Sequence, residues 1–198
     1  MSLISAFTLT LYSSQCYNSG DFMEGGNTMR QKTYDLVYTG MFAVFLAICS
    51  WISIPTIVPF TLQTFGVFLS LLVLGGKRGT ITISIYLLLG LIGIPVFSHF
   101  GAGPGYLLGN TGGYAIGFLL IGLCYWVFEK LFSNQMLFQI LALLLGLVLC
   151  YLFGSLWFLL VSTSTDNLLE FKNILGICVF PFIFPDLLKF GLAFIISK

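Results

Sequence analysis

The stretch MLFQILALLLGLVLCYLFGSLWFLLVS, from Met136 to Ser162, contains no Asp, Glu, Lys or Arg. It is long enough to cross the hydrocarbon layer of a bilayer, for which a helix needs about 17–25 apolar residues. The strands of a β-barrel, the other structure that can span lipid, alternate apolar and polar residues, whereas this stretch is apolar almost throughout. It therefore predicts a transmembrane α-helix.

The rest of the chain has the same character. Of its 198 residues, 58% are hydrophobic and 8% are charged, whereas a soluble domain is about 25% charged. We predict an all-α membrane protein, a bundle of six spans at about 36–54, 60–76, 79–97, 111–128, 136–162 and 174–196. The second span follows Pro55 and Pro59, and it is short enough to enter the membrane tilted or partly re-entrant. In the fifth span we interpret Tyr151, Trp157 and Phe158 as an interfacial aromatic belt.

The positions of the basic residues predict the orientation. If the N-terminus is cytoplasmic and six spans alternate, six basic residues lie inside: Arg30, Lys32, Lys77, Arg78, Lys130 and Lys198. Lys172 alone lies outside, so the arrangement agrees with the positive-inside rule. We expect a multi-pass protein of the plasma (inner) membrane with both termini in the cytoplasm.

The first 28 residues need a separate interpretation. Their apolar stretch from Leu3 to Leu11 is too short to span, and no Lys or Arg precedes it as in a signal peptide. Met29 is followed by Arg30 and Lys32, as at a cytoplasmic start. Residues 1–28 are therefore interpreted as a disordered extension or a start site assigned too early, and residues 29–198 as the membrane domain.

Charge and cysteine content exclude several classes of partner. The 8 Lys+Arg and 7 Asp+Glu provide no basic surface for nucleic acid. The five cysteines have no metal-ligand spacing. We therefore expect no metal and no cofactor, and partners drawn from lipid, other membrane subunits or small ligands.

The last span contains two ionisable residues, Asp186 and Lys189. Each costs on the order of 3 kcal/mol at membrane depth, and their i, i+3 spacing places both on one helical face. They predict a binding site, with a structural ion pair as the alternative. Pro181 and Pro185 predict that the helix is broken or kinked there. A break would place Asp186 in the first turn of a helix inside the membrane, and a simple proline kink is the alternative.

Three other segments are candidates for function. The glycine-rich residues 99–114 lack the Lys of a phosphate-binding loop, so we interpret them as a lid over an outward-facing pocket or as a plain mobile loop. Thr61, Gln63 and Thr64 bring polar groups to the entrance of the second span, where they serve a ligand or merely the interface. Ala43 and Ala47 form a small-xxx-small pair that suits either a docking surface or packing within the bundle.

The order of these motifs resembles the BioY family, the biotin-specific substrate-binding (S) components of energy-coupling-factor (ECF) transporters. The similar stretches are PFTLQT from Pro59, LGGKRG from Leu74, YLLLG from Tyr86, GIPVF from Gly93, GNTGGY from Gly109 and DLLK from Asp186. They extend over about residues 30–198. Asn110 stands where the family's proline is expected, Pro185 stands where a glycine is usual, and the loop at 98–110 has no Arg.

The resemblance implies six helices, a biotin pocket near the outer face and no ATPase activity in this chain. It implies that Asp186 accepts from the ureido N–H groups of biotin and that Lys189 serves the ureido oxygen or the carboxylate, or that the two roles are exchanged. The other ligand residues implied are Thr61, Gln63, Tyr86, Asn110 and Tyr114. Ala43 and Ala47 would pack on the transmembrane coupling subunit, to which two ATPase subunits bind.

Other functions stay open at this point. An import subunit for another small vitamin would differ only in the details of the pocket. An intramembrane enzyme would need convergent catalytic groups, and the predicted spans contain no His and no carboxylate cluster.

Overall fold

A computed structural model describes residues 27–54, 60–132, 135–163 and 179–197. It is mostly helical, with a short antiparallel hairpin. The helices are α1 (Asn27–Trp51), α2 (Gln63–Ile92), α3 (Pro104–Leu108), α4 (Gly112–Phe132), α5 (Met136–Thr163) and α6 (Phe180–Ile196). The strands are β1 (Ser53–Ile54) and β2 (Phe60–Thr61). Four of the described helices, α1, α2, α4 and α5, are long and apolar enough to cross a membrane. The count of six spans stays a prediction.

The helix α2 covers two of the predicted spans, because it folds back on itself. Gly75 has φ 79° and ψ 169°, a conformation outside the helical region that glycine adopts readily. Gln63 Nε2 lies 2.9 Å from Tyr86 Oη, although 23 residues of straight helix would separate the two by about 34 Å. The spans predicted at 60–76 and 79–97 are thus the two halves of a helical hairpin.

The second half of α2 ends earlier than predicted. Gly93 has φ 110°, and its N–H donates to the carbonyls of Gly90 and Leu89. This left-handed cap ends the helix at Ile92. Residues 93–97, which we expected to be helical because of their apolar character, are therefore outside the helix.

The helix α2 is also the centre of the bundle, since α1, α4 and α6 all pack against it. The other extensive contact is between α4 and α5, which glycines make possible. A Cβ on Gly117 would lie 2.7 Å from Cys150 Sγ, and one on Gly154 would overlap the ring of Tyr114. Small residues at such positions allow two membrane helices to approach closely.

The predicted docking role of Ala43 and Ala47 is wrong for the described chain. The two residues are only 2% and 5% exposed and belong to the hydrophobic core between α1 and α2. One turn on, Leu46 and Cys49 lie against Gly66 of α2. Because this face of α1 is covered by the chain's own helix, the small pair serves internal packing. The opposite face of α1 is the exposed one: Leu36, Val37, Met41, Val44 and Ile48.

The two ends of the bundle differ in charge. At one end Arg78 pairs with Asp35 at 3.1 Å, and Glu129 Oε2 accepts from the N–H of Gly76 at 2.7 Å. At the other end, two tryptophan side chains bond loop carbonyls: Trp51 Nε1 donates to Pro95 O, and Trp157 Nε1 donates to Gly109 O. The described loop and hairpin residues at this tryptophan end, 52–54, 60–62 and 93–111, include no Lys, Arg, Asp or Glu.

The helix α6 begins at Phe180 with Pro181 in its first turn, and it continues through Pro185. The helix thus begins beside the first of the two prolines, but Asp186 lies beyond its first turn, so the placement of Asp186 in the first turn, which a break implied, is wrong. The missing N–H of Pro185 leaves the carbonyl of Pro181 without its usual helical donor. Residues 164–178, which include Lys172 and the first residues of the predicted last span, and nearly all of residues 1–28 lie outside the described residues.

The turn at Gly75–Gly76 leads to a test of the packing. A Cβ on Gly76 would lie 2.5 Å from Trp126 Cα, so Gly76→Ala must displace backbone and should cost about 1–3 kcal/mol. The measurement is thermal denaturation of the detergent-purified protein. Gly40→Ala is the matched control, because a Cβ there meets nothing within 4 Å and should leave stability unchanged or raise it. Equal denaturation temperatures for both variants would contradict the close approach of α2 and α4.

Candidate functional site

Asp186 and Lys189 form a buried ion pair on one face of α6. Asp186 Oδ1 and Lys189 Nζ lie 2.7 Å apart, and the residues are 2% and 5% exposed. The i, i+3 spacing brings the two side chains together, as predicted from the sequence. Burial of both charges requires that their remaining hydrogen-bonding capacity be used.

The carboxylate of Asp186 has partners on two other helices. Thr64 Oγ1, in the first turn of α2, donates to Oδ1 at 2.9 Å. Tyr151 Oη, in the middle of α5, donates to Oδ2 at 2.5 Å. A carboxylate offers about four acceptor positions, so these two bonds and the one from Lys189 leave about one position, on Oδ2.

The ammonium group of Lys189 has three acceptors. Nζ donates to Thr61 O at 2.6 Å, to Thr64 Oγ1 at 3.2 Å and to Asp186 Oδ1. It also lies 4.0 Å from the centre of the Phe60 ring, a cation–π geometry. Since an ammonium group has three N–H donors, Lys189 is fully hydrogen-bonded.

These contacts fasten the β-hairpin over α6. Thr61 and Phe60 form β2, which pairs with Ser53 and Ile54 of β1. The lysine thereby ties the segment between α1 and α2 to the last helix. Thr61 is one of the predicted ligand residues. Its carbonyl contacts the ion pair, and its hydroxyl accepts from Gln63 N at 3.2 Å.

Aromatic side chains lie beside the pair. Tyr114 and Phe158 form a small hydrophobic cluster, separate from the main core, on which Tyr151 and Phe182 pack. Tyr151 packs on the main core as well, and Phe182 lies 5.9 Å from Phe60 between ring centres. The ion pair therefore has α2 on one side and an aromatic wall from α4, α5, α6 and β2 on the other, formed by Tyr114, Tyr151, Phe158, Phe182 and Phe60.

A second hydrogen-bonded set of side chains, which is neutral, includes a residue of the same turn of α2. Gln63 Nε2 donates to Tyr86 Oη at 2.9 Å, and Tyr86 Oη donates to Val96 O at 3.0 Å. Both side chains are buried. The structure thus brings these two predicted site residues together. Gln63 directly precedes Thr64, which bonds Asp186.

The remaining two predicted site residues are placed differently. Tyr114 is buried at the start of α4, where its hydroxyl lies 3.2 Å from Ser155 Oγ. Asn110 is exposed in the loop before α4. Neither residue has a described hydrogen bond to Asp186 or Lys189, although Tyr114 belongs to the aromatic wall.

The sequence interpretation missed Tyr151 as part of the site. Tyr151, together with the buried Phe158, does not belong to an interfacial belt, because its hydroxyl is bonded to the carboxylate inside the bundle. Its position could have indicated this, since a tyrosine near the middle of a long apolar helix lies far from either interface. A phenol at that depth needs an internal hydrogen-bond partner.

Comparison with known proteins gives the family. Residues 23–198 match the model of the BioY family. The chain belongs to this family. The biotin transporter BioY of Thermotoga maritima is 36% identical to it over 167 residues, which are 82% of this chain and 92% of that protein. The biotin transporter BioY2 of Lactococcus lactis subsp. cremoris is 37% identical over 172 residues, or 83% and 91% of the two chains.

A solved structure also superposes on the fold. The crystal structure of the S-component for biotin from an ECF-type ABC transporter matches with a TM-score of 0.72 and 28% sequence identity. The match covers 88% of this chain and 93% of the other. The extent of the match shows that this chain has an S-component-like fold.

The buried ion pair predicts a characteristic pattern of stability in this BioY-family chain. Lys189→Met would leave the Asp186 carboxylate buried without its cation, which costs about 3–5 kcal/mol. The double variant Asp186→Asn/Lys189→Met strands no charge and should recover much of that loss. Thermal denaturation of the ligand-free protein in detergent measures both. A double variant no more stable than Lys189→Met would show that the pair is not coupled.

Proposed function

We propose that this chain takes up biotin, capturing it at the outer face of the membrane for import. The observation that carries the proposal is the buried Asp186–Lys189 pair, held at the meeting point of α2, α5, α6 and β2 in a chain of the BioY family. An ion pair that served only to hold helices together could be replaced by apolar residues at lower cost. A buried charged pair of this kind suits a polar ligand.

The chemistry of biotin fits the two charges. Its ureido ring has two N–H donors and one carbonyl acceptor. Asp186 Oδ2 has an acceptor position for a ureido N–H group. A ligand oxygen on Lys189 must replace one of its three acceptors, and the Thr61 carbonyl is the one attached to a short hairpin rather than to a helix. Capture therefore involves a change at β2.

The neutral residues complete the proposed pocket. Gln63 and Tyr86 supply amide and phenol groups beside the ion pair. Tyr114 and the aromatic wall supply apolar surface for the thiophane ring and the valeryl chain, as in ligand pockets generally. In this proposal Asn110, which is exposed in the loop before α4, contacts the exposed end of the ligand.

The proposed topology is six spans with both termini in the cytoplasm of the plasma (inner) membrane. The helical hairpin α2 then provides two spans and α6 the last. The end that contains Arg78, Lys77 and Lys130 is the cytoplasmic one, in agreement with the positive-inside rule. The tryptophan end, with the β-hairpin and the glycine-rich loop, faces outward.

The likeness to an S-component supports a place in an ECF-type importer. In this proposal a transmembrane coupling subunit and two ATPase subunits energise transport, and this chain supplies substrate specificity rather than enzymatic activity. Since Ala43 and Ala47 are buried, docking of the coupling subunit has to use other residues. Import of another small vitamin is the second candidate, because the same polar groups could pair with a different heterocycle.

The binding prediction concerns Asp186. Wild-type protein should bind biotin in isothermal titration calorimetry in preference to other vitamins. Asp186→Ala should weaken binding about 10- to 150-fold, because a hydrogen bond to a charged group contributes about 1.5–3 kcal/mol. Lys189→Ala should behave similarly, and the double variant should lose less than the sum.

Two controls accompany this measurement. Every variant must elute as a discrete species from size-exclusion chromatography. Ser70→Ala should bind like wild type, because the described hydrogen bond of the Ser70 hydroxyl is to Gly66 O in its own helix. Biotin affinity unchanged in both single variants would mean that the pair is structural and that the ligand binds elsewhere.

The topology prediction uses single cysteines in a background without the five native ones. Cysteine in place of Gly105, which is exposed and has open space around it, should react with a membrane-impermeant maleimide on intact cells. Cysteine in place of the exposed Lys77 should react only after permeabilisation. Labelling of position 77 from outside would contradict the six-span orientation.

A further inference from the structure

Tyr151 makes the shortest described hydrogen bond to the ion pair, from Oη to Asp186 Oδ2 at 2.5 Å. A bond of this length between a hydroxyl group and a carboxylate is typical of charge-assisted hydrogen bonds. It links α5 to α6 across 35 positions of the sequence. Neither the motifs in the sequence nor the proposed ligand contacts give the hydroxyl group of this tyrosine a role.

The packing of the helices makes this bond the link between two parts of the bundle. The backbone of α6 packs mainly against α2, whereas that of α5 packs mainly against α4. Tyr151 extends between these two pairs, and its ring packs on both the main core and the aromatic wall. A long side chain thus bridges helices whose backbones are not in extensive contact.

The bond also restricts the carboxylate. Thr64 and Lys189 occupy Oδ1, which fixes one oxygen but leaves the carboxylate free to turn about its Oδ1 contacts. Tyr151 fixes the second oxygen and hence the plane of the group. A single acceptor direction on Oδ2 then remains for a donor from a ligand.

We propose that Tyr151 is a positioning residue for biotin capture, acting through Asp186 by holding its carboxylate in the orientation that accepts a ureido N–H group. This inference rests on the proposed function. Pre-organised polar groups lose less conformational freedom on binding, so the hydroxyl raises affinity without touching the ligand.

The test is a double-variant cycle on biotin affinity. Tyr151→Phe removes only the hydroxyl. We expect the dissociation constant for biotin to rise about tenfold, which is the scale of one hydrogen bond to a charged group. In an Asp186→Ala background the same substitution should have no further effect. A tyrosine that only packs the helices would weaken binding equally in both backgrounds, so the cycle separates the two roles.

Tyr125→Phe is the matched control. Tyr125 is also buried, at 1% exposed, but lies in the main core on α4 near the charged end, and its variant should bind biotin like wild type. Tyr151→Phe with wild-type affinity would overturn the inference while leaving the proposed function intact. Failure of wild-type protein to bind biotin would overturn both.

A second measurement covers the case in which Tyr151→Phe does not fold. Fluorotyrosine incorporated at position 151 in otherwise wild-type protein should give a ¹⁹F resonance that shifts when biotin is added, because a new donor on Asp186 Oδ2 changes the phenol's hydrogen bond. The resonances of fluorotyrosine at position 125 should stay unchanged. A resonance at 151 that does not respond to saturating biotin would contradict the proposal.

Discussion

Two charges removed from water constrain the whole interior of this protein. Asp186 and Lys189 neutralise each other, but a pair in a low-dielectric environment is tolerated only when its remaining donors and acceptors are bonded. The structure meets this requirement with groups from three further elements: the Thr64 hydroxyl of α2, the Tyr151 hydroxyl of α5 and the Thr61 carbonyl of β2. The positions of α6, of the β-hairpin and of the middle of α5 therefore depend on one another.

The hairpin in α2 makes this convergence possible. Its turn at Gly75 returns the chain beside itself, so that the first turn of α2 contacts both Tyr86 and Asp186 through neighbouring residues, Gln63 and Thr64. The same helix packs on α1, α4 and α6. Because the turn lies at the charged end and the polar residues at the tryptophan end, the polar groups gather on the side where the β-hairpin and the glycine-rich loop lie.

Sequence reasoning predicted the elements better than their partners. It identified Asp186 and Lys189 as a pair, since helical spacing alone brings them together, and it placed a boundary near Gly75. It was wrong for the docking role of Ala43 and Ala47 and for the interfacial belt that included Tyr151. Each error concerns which helix covers a given face. The sequence pattern of a small-residue pair is the same whether the pair packs on an internal helix or on another protein. Likewise, the sequence does not distinguish a tyrosine at a membrane interface from one beside a buried acceptor.

The sequence by itself determined that this chain is a bundle of membrane helices with an ionisable pair in its last one. Apolar length and i, i+3 geometry are local properties that need no knowledge of neighbours. Only the tertiary structure decided which groups bond that pair and which residues are buried around it. Thr64 and Tyr151 lie 122 and 35 positions from Asp186, and their contacts arise from the packing of whole helices. In a membrane that packing depends on close fit between side chains, because the apolar faces of the helices gain little by leaving lipid.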